Sequence, residues 1–235
     1  LDAHADREEP FFAYVAFLAV HIPVQAPREY TEKYIETYAE GWNAIRTQRW
    51  QRAQDLGLVR QGAPLAPQPE SIPRWEDLTP DEQRLAAKSM AVNAGALEAM
   101  DAELGGLIDY LKSTDDYENT VFVVTSDNGP EAGDPWGAAI GWWMGLHDYS
   151  RSYDNLGEKG SYVAIGPGGA SANAGPSLLF KFHTGEGGLR VPMLMAGPGI
   201  EAGAEVESFT VMSDIAPTLL DLARAREPSS SAVSM

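Results

Sequence analysis

The sequence contains no cysteine among its 235 residues. This absence excludes disulfide bonds, thiolate-bound metals and a thiol nucleophile. It does not assign a cellular compartment, because a reducing or an oxidising one would tolerate it. Any catalytic role therefore falls to other side chains.

Long apolar runs are absent as well. The longest run, FFAYVAFLAV at residues 11–20, is closed by Pro10 and His21. It has about half of the ~20 apolar residues that a membrane-spanning helix needs. We therefore predict a buried strand there and no insertion into a membrane.

Basic residues are scarce relative to acidic ones. The chain has 17 Lys and Arg against 34 Asp and Glu, a formal charge of −17 at pH 7. Such a surface repels nucleic acids and anionic membranes, so nucleic acid is not expected as a partner. An anionic substrate requires local cations that outweigh this background, and a bound metal is one way to supply them.

The order of the predicted elements indicates an α/β fold. A strand at 11–20 is followed by a helix at about 80–113, a strand at 121–126 and another at 191–196. Because the strands are apolar on both faces, they suit a mostly parallel sheet flanked by helices. A helix is predicted at 213–225, with Ser213 or Asp214 as its N-cap. The tail 226–235 is predicted to be disordered.

The helix at 80–113 has the clearest local signals. Thr79 is the predicted N-cap, Pro80 suits the first helical position and Glu82 completes a capping box. Apolar residues in its second half follow the three- and four-residue spacing of a stripe that faces a core. They are Leu97, Met100, Leu104, Leu107, Ile108 and Leu111.

The stretch VFVVTSDNGP at residues 121–130 has two interpretations. Asn128-Gly129 is a strong turn signal, because Gly129 takes φ > 0 at no steric cost. Alternatively, Asp127 and Asn128 offer a carboxylate and an amide oxygen at the end of a strand, ligands that suit Ca²⁺ or Mg²⁺ rather than zinc. The residues alone leave both interpretations open.

Other candidates lie where ligands bind α/β sheets, near the strand ends. His21 ends the first predicted strand and is either a structural or a functional histidine. Lys181 lies between Phe180 and Phe182, so alternation along the chain points it away from both, towards solvent or a pocket. His147 and His183 are further candidates for substrate binding. Both lie in the long loop at about 130–190, whose many aromatic residues favour an ordered loop around a pocket.

Four segments, taken together and in order, resemble the sulfatase family of the alkaline phosphatase superfamily, and bacterial arylsulfatases in particular. A fifth, NLGEKGSYVAIGPGGA at 155–170, is similar to part of the long loop in that subgroup. The four are PFFAYVAFLAVHIPVQAPREY (10–30), NTVFVVTSDNGPEAG (119–133), LLFKFHTGEGGLRVPMLMAGPG (178–199) and VMSDIAPTLLDLA (211–223).

The resemblance implies an alkaline-phosphatase-like fold, with residues 1–225 as a partial catalytic domain cut at both ends. It implies that Asp127 and Asn128 ligate Ca²⁺, with Mg²⁺ the less favoured ion. His21 would contact the sulfate or its bridging oxygen and protonate the leaving group. Lys181 would pair with the sulfate and stabilise charge on the departing oxygen, so both residues are implied to be catalytic and to bind substrate. The implied activity is that of a sulfuric ester hydrolase acting on sulfate monoesters, with a small aryl or alkyl sulfate ester as substrate. The compartment stays open, with the bacterial cytoplasm and the periplasm as the two possibilities for a soluble protein.

The family's nucleophile is a formylglycine made from the first residue of Cys/Ser-x-Pro-x-Arg. In Ser71-Ile72-Pro73-Arg74 the arginine comes one place early, and the segment follows His21 instead of preceding it. We therefore expect the formylglycine in a segment upstream of Leu1, and little turnover by this chain alone. The alternatives are a phosphoester or phosphonate monoester hydrolase of the same superfamily and a non-catalytic remnant that binds metal.

Overall fold

The computed structural model describes residues 10–134, 140–206 and 208–224. The chain divides into two compact units, Leu1–Pro198 and Gly199–Met235. The first unit contains six α-helices and two strands in its described part. They are α1 (Arg28–Thr31), α2 (Gly41–Asp55), α3 (Pro80–Ser113), β1 (Phe122–Thr125), α4 (Gly141–Leu146), α5 (Gly166–Ala174), α6 (Glu186–Leu189) and β2 (Met193–Ala196). The second unit contains a 3₁₀ turn, Met212–Asp214, and α7 (Ile215–Leu222).

Helix α3 begins and ends where the sequence predicts. Thr79 caps it, and Glu82 completes the capping box with Pro80 at the start of the helix. The Glu82 amide donates to the Thr79 hydroxyl, and the Thr79 amide and hydroxyl donate back to the Glu82 carboxylate. Local chemistry is therefore sufficient to fix this boundary.

Two hydrophobic clusters lie on either side of the first half of α3. One cluster contains Met90 and Ala91 of α3 with Trp42 of α2, Ala170 of α5 and Phe180. The other contains Val92 and Ala96 of α3 with Val24, Leu156 and Val163. Because adjacent turns of one helix contribute to both clusters, α3 joins the segments that surround it.

The predicted apolar stripe in the second half of α3 is confirmed in part. Leu111 is buried and four of its other residues are half-buried, namely Met100, Leu104, Leu107 and Ile108, whereas Leu97 is 52% exposed. The most deeply buried face lies at 87–96, where small residues allow other segments to approach the helix closely. The spacing of apolar residues identified the helix and its covered side, but not the half of it that is covered most completely.

The sheet differs from the predicted one. Strands β1 and β2 lie within the predicted 121–126 and 191–196, but they pair antiparallel, with Phe122 opposite Ala196 and Thr125 opposite Met193. This pair is the whole sheet in the described part of the chain, so the predicted parallel arrangement is not seen there. Both strands are half-buried or exposed, because no further strands or helices of the described residues cover the two faces.

The predicted strand at 11–20 is also wrong. No strand is formed at these residues, and Phe12 and Tyr14 are exposed. An apolar segment becomes a strand only when another strand supplies ladder hydrogen bonds, and none of the described residues does so here. The neighbouring chain is ordered differently, since Val24 forms an isolated antiparallel bridge with Val163.

The loop predicted at about 130–190 contains three short helices, α4, α5 and α6. Helix α5 escaped prediction because GPGGASANA has no apolar periodicity. Its small residues are needed for close packing: a side chain on Gly168 would overlap the Trp42 ring.

The last predicted helix is confirmed in part. The chain turns at Met212–Asp214 and α7 runs over Ile215–Leu222, within the predicted 213–225. The Asp214 carboxylate accepts from the Val211 amide instead of capping α7. The predicted disordered tail, 226–235, lies outside the described residues. Within the described part of the chain, every helix is too short or too polar to cross a bilayer.

Replacing Gly95 by alanine tests the tight crossing of α1 over α3. A β-carbon on Gly95 would lie 2.8 Å from the Thr31 amide nitrogen, a backbone atom that cannot rotate away. Gly→Ala inside a helix ordinarily stabilises by about 1 kcal/mol. Here we expect Gly95→Ala to destabilise, because overpacking costs about 1–3 kcal/mol.

The matched control is Gly105→Ala in the same helix, where no described atom lies within 4 Å of the new β-carbon. We expect this change to stabilise the protein. Both effects are measured as free energies of unfolding in guanidinium chloride. Equal gains in stability at the two positions would contradict the tight crossing.

The capping box predicts a pH dependence of stability. Hydrogen bonds from the Thr79 hydroxyl and then the Thr79 amide lower the pKa of the Glu82 carboxyl. The unfolded chain, with a Glu pKa of about 4.3, therefore binds the proton more readily than the folded chain does. The resulting stability is present above that value and is lost as the pH falls through the lowered pKa of the folded state.

Comparison with Glu82→Gln isolates this effect. We expect the stability difference between the parent and Glu82→Gln to be constant near neutral pH and to shrink in acid. Urea unfolding followed by circular dichroism across this range measures it. A difference that does not change with pH would show that the carboxylate charge contributes nothing to the cap.

Candidate active site

A carboxylate, an ammonium and an imidazole meet near the end of β1. The Lys181 Nζ lies 2.9 Å from Glu131 Oε2 and 3.3 Å from His21 Nε2. The side chains of Lys181 and Glu131 are only 15% and 12% exposed. The structure thus brings His21 and Lys181, two residues predicted from the sequence, into direct contact.

The hydrogen bonds of His21 fix which of its nitrogens faces Lys181. Its Nδ1 lies 2.7 Å from the carbonyl oxygen of Ile22, which can only accept, so Nδ1 carries the proton. In the neutral ring Nε2 is then an acceptor, and the Lys181 ammonium donates to it. The imidazole is therefore held with the lone pair of Nε2 directed at the Lys181 ammonium.

The two hydrophobic clusters position these side chains. Phe180, immediately before Lys181, is buried in the first cluster, and Val24, three residues after His21, is buried in the second. The Lys181 amide donates to the carbonyl of Pro130, next to Glu131. Lys181 and His21 therefore each lie within three residues of a side chain that is buried in the core.

The alternation predicted around Lys181 is wrong. Residues near Lys181 form turns instead of a strand, and Phe182 is 82% exposed while Phe180 is buried. Leu179 and Phe182 have φ of 66° and 72°, a left-handed conformation that is unusual for bulky residues. Strained backbone of this kind concentrates at functional sites.

Asp127 and Asn128 follow β1 directly. Asp127 is exposed, and within 10–134, 140–206 and 208–224 no hydrogen bond or ion pair engages its carboxylate. The Asn128 side-chain nitrogen donates to the carbonyl of Gly129 at 2.9 Å, and no hydrogen bond among the described residues engages its side-chain oxygen. One carboxylate and one amide oxygen thus follow each other along the chain after β1.

These donors fit part of a calcium site. Ca²⁺ takes six to eight oxygen ligands, including carboxylates and amide carbonyls. The described residues contain no cluster of three or more His, Asp or Glu side chains that could hold a metal. Asp127 and Asn128 would therefore supply a minority of the ligands that such an ion requires.

The chain does not fit a formylglycine at its nearest sequence match. Ile72 of Ser71-Ile72-Pro73-Arg74 is buried in the first cluster, and Arg74 pairs with Glu76 and Asp77 at the surface. The segment thus contributes to the core through Ile72 and to surface ion pairs through Arg74. No step is assigned to Ser71.

Gly129 is required for a different reason from the predicted one. It does not have positive φ, so the turn itself does not demand glycine. Instead its amide donates to the carbonyl of Gly188 at 3.0 Å, and a side chain at this position would overlap the carbonyl oxygen of Gly187. Glycine here allows α6 to approach the end of β1.

The two remaining predicted histidines make local contacts. His147 stacks on Trp143 and its Nδ1 bonds the Trp143 carbonyl at the end of α4. The His183 Nδ1 bonds the carbonyls of Phe180 and Lys181. Neither contacts the Lys181 ammonium in the described part of the structure, and their role in binding substrate stays a prediction.

A polar cavity of about 200 Å³ lies elsewhere, against α1 and α3. It is bounded by Arg28, Thr31, Lys88 and Glu158 among others, and by none of the predicted site residues. Burial lowers the pKa of Lys88, whose ammonium donates to the carbonyl of Tyr153 at 2.5 Å. This lysine joins the 153–158 segment to α3.

Sequence analysis did not single out Glu131. It lies in the segment that carries Asp127 and Asn128, but its partner Lys181 is 50 residues away along the chain. An acidic residue just beyond a strand end is too common to signal an ion pair. Only the folded chain identifies it.

Comparison with known proteins finds one matching family model, Sulfatase, over residues 1–225. An arylsulfatase of Klebsiella aerogenes is 36% identical over 92% of this chain and 47% of its own length. An uncharacterized sulfatase of Schizosaccharomyces pombe is 35% identical over 95% of this chain and 41% of its own length. A choline-sulfatase of Rhizobium meliloti is 29% identical over 63% of this chain and 20% of its own length. The chain thus spans less than half the length of these relatives.

Replacing Gly129 by alanine tests the approach of α6 to the end of β1. The obstructing atoms are backbone atoms of Gly187 and Gly188 that cannot adopt another rotamer. We expect Gly129→Ala to destabilise by about 1–3 kcal/mol, as overpacking does. The control is Gly145→Ala in α4, where the described structure is open around the new β-carbon. Guanidinium unfolding measures both, and a Gly129→Ala variant as stable as the control would contradict the contact.

Proposed function

Because this chain belongs to the sulfatase family, we propose that it supplies part of the active site of a sulfuric ester hydrolase that cleaves sulfate monoesters. The observation that carries the proposal is the contact of Lys181 with His21 beside the strand end that presents Asp127 and Asn128. Family membership implies an alkaline-phosphatase-like α/β fold. The mostly parallel sheet and a catalytic domain spanning 1–225 remain predictions for the complete protein.

The proposed task of Lys181 is to bind a sulfate oxygen and stabilise charge on the departing oxygen. Its ammonium has three N–H donors. Glu131 and His21 accept two of them among the described residues, and the exposed ring of Phe182 lies 5.3 Å from the ammonium. The third N–H is the donor proposed to bind the substrate. A cation preorganised in a largely buried position stabilises developing negative charge more than a mobile surface lysine does.

The proposed task of His21 is to contact the sulfate or the bridging oxygen. The backbone of Ile22 holds the ring, and its Nε2 lies at the lysine. A leaving-group oxygen bound there meets the imidazole and the ammonium together. In this arrangement the departing oxygen accepts a proton from the Lys181 ammonium, which is left as a neutral amine, because His21 Nε2 carries no proton.

Asp127 and Asn128 would hold Ca²⁺ with ligands from outside this sequence. Bound there, the ion would neutralise charge on the sulfate and orient it. Mg²⁺ fits less well, because it demands near-ideal octahedral geometry and keeps several waters. The formylglycine nucleophile is likewise proposed to come from outside this sequence, since no segment of the chain fits it.

The substrate is proposed to be a small aryl or alkyl sulfate. Two relatives are named arylsulfatase and choline-sulfatase, so both kinds of ester belong in a substrate screen. The net charge of −17 disfavours polyanionic substrates and nucleic acids.

Turnover by the complete protein that carries this sequence tests the proposal. We expect hydrolysis of 4-nitrophenyl sulfate or choline sulfate to exceed that of 4-nitrophenyl phosphate. Lys181→Ala should lower kcat by about 10²–10³, the effect of removing one preorganised donor. His21→Ala should also lower kcat, because the Lys181 ammonium loses one of the two acceptors that hold it. Asp127→Ala should abolish the calorimetric signal of Ca²⁺ binding and lower activity, with Asp109→Ala on the exposed face of α3 as the control.

Three outcomes would overturn the proposal. Faster phosphate turnover would reassign the protein to phosphoester hydrolysis. Ca²⁺ binding without turnover of either ester would favour the non-catalytic alternative. Full activity in Lys181→Ala would show that the contact between Lys181 and His21 takes no part in the reaction.

A further inference from the structure

Both carboxylate oxygens of Glu131 are engaged. Its Oε2 lies 2.9 Å from the Lys181 ammonium, and its Oε1 accepts the Gly133 amide at 3.0 Å. Gly133 in turn lies close to Ile22, the residue that holds the His21 ring. Each of the two carboxylate oxygens therefore has a partner that fixes its position.

The backbone holds the two charged residues together independently of their side chains. The Lys181 amide donates to the carbonyl of Pro130, and the Gly129 amide donates to the carbonyl of Gly188, each at 3.0 Å. These two bonds join the segment after β1 to the segment before β2. The ion pair is thus additional to a connection that already exists.

An ion pair with so little exposure is a costly way to stabilise a fold. Desolvating a carboxylate and an ammonium offsets much of their attraction, and apolar pairs of similar volume often stabilise as well or better. The core contacts beside it are made by Phe180. A role in stability alone therefore accounts poorly for Glu131.

The hydrogen bonds that Lys181 donates to Glu131 and His21 suggest what the ion pair of Lys181 and Glu131 does. Glu131 and His21 both accept from Lys181, so the ammonium is held between two acceptors and its third N–H has a defined direction. We propose that Glu131 is a positioning residue for sulfate ester hydrolysis, holding the Lys181 ammonium against His21 Nε2. This inference rests on the proposed function and names a residue outside the site predicted from the sequence.

The proposal predicts that the Glu131 charge weakens the binding of an anion but speeds its turnover. Glu131 places a negative charge beside the ammonium, which weakens the attraction of the site for an anion in the ground state. It also fixes the ammonium in the geometry that the transition state needs. Removing the charge should therefore improve anion binding and impair catalysis.

The decisive variants are Glu131→Gln and Glu131→Asp in the complete protein, with Glu186→Gln as the matched control. Glu186 pairs with Arg190 at 3.4 Å in an exposed position nearby in the chain. For Glu131→Gln we expect kcat to fall by about 10- to 100-fold, the effect of a misplaced catalytic group. The inhibition constant of inorganic sulfate should stay constant or decrease. Glu131→Asp should recover part of kcat, and Glu186→Gln should match the parent.

Loss of both kcat and sulfate affinity in Glu131→Gln, without recovery in Glu131→Asp, would overturn the proposal in favour of a purely structural pair. An unchanged kcat would overturn it as well. Unfolding midpoints of all three variants identify any loss that follows from instability.

A spectroscopic measurement decides the proposal even if the parent does not hydrolyse sulfate esters. Nitrogen-15 NMR of the His21 ring should show the Nδ1–H tautomer with a hydrogen-bonded Nε2 in the parent and in Glu186→Gln. In Glu131→Gln the Nε2 resonance should shift as Lys181 leaves the ring. An identical His21 spectrum in the parent and Glu131→Gln would show that Glu131 does not position the lysine. Failure of the proposed function thus affects the kinetic measurements and leaves this one interpretable.

Discussion

The close approach of several segments to the first half of α3 is the constraint on which the rest of the first unit depends. Gly95 leaves room for the Thr31 backbone, and a side chain on Gly157 would overlap Val92. Val92 and Ala91 are fully buried between the two hydrophobic clusters. Because buried packing is dense and resists small changes of volume, these contacts determine where the surrounding loops lie.

The active-site candidates inherit their positions from this packing. Phe180 belongs to the cluster on one side of α3 and Val24 to the cluster on the other. Lys181 and His21 follow from these anchors within one and three residues, and they meet at 3.3 Å. A contact between residues 160 positions apart is thus fixed by apolar burial, and the Glu131 carboxylate adds the direction of the ammonium.

Elements with local causes were predictable from the sequence, whereas those that need a distant partner were not. The α3 boundary rests on Thr79, Pro80 and Glu82, which are neighbours in the chain, and it is confirmed. Strand formation at 11–20 depends on a second strand, and none of the described residues provides one. Gly129 was identified correctly as a constrained position, but the reason is the backbone of Gly187 and not its own φ.

The site shows the same division. His21 and Lys181 were candidates because they lie near predicted strand ends, but a single histidine or lysine is a weak signal, and resemblance to a family gave them their predicted roles. Glu131 was missed because its role exists only in the folded chain, through contacts with Lys181 and Gly133. A largely buried ammonium held by a carboxylate and an imidazole keeps one N–H donor, which is the donor that the proposed function assigns to an anion. The proposal for calcium relies on two oxygen donors, Asp127 and Asn128, with further ligands needed, so the proposed anion binding depends more directly on the described residues than the proposed calcium binding does.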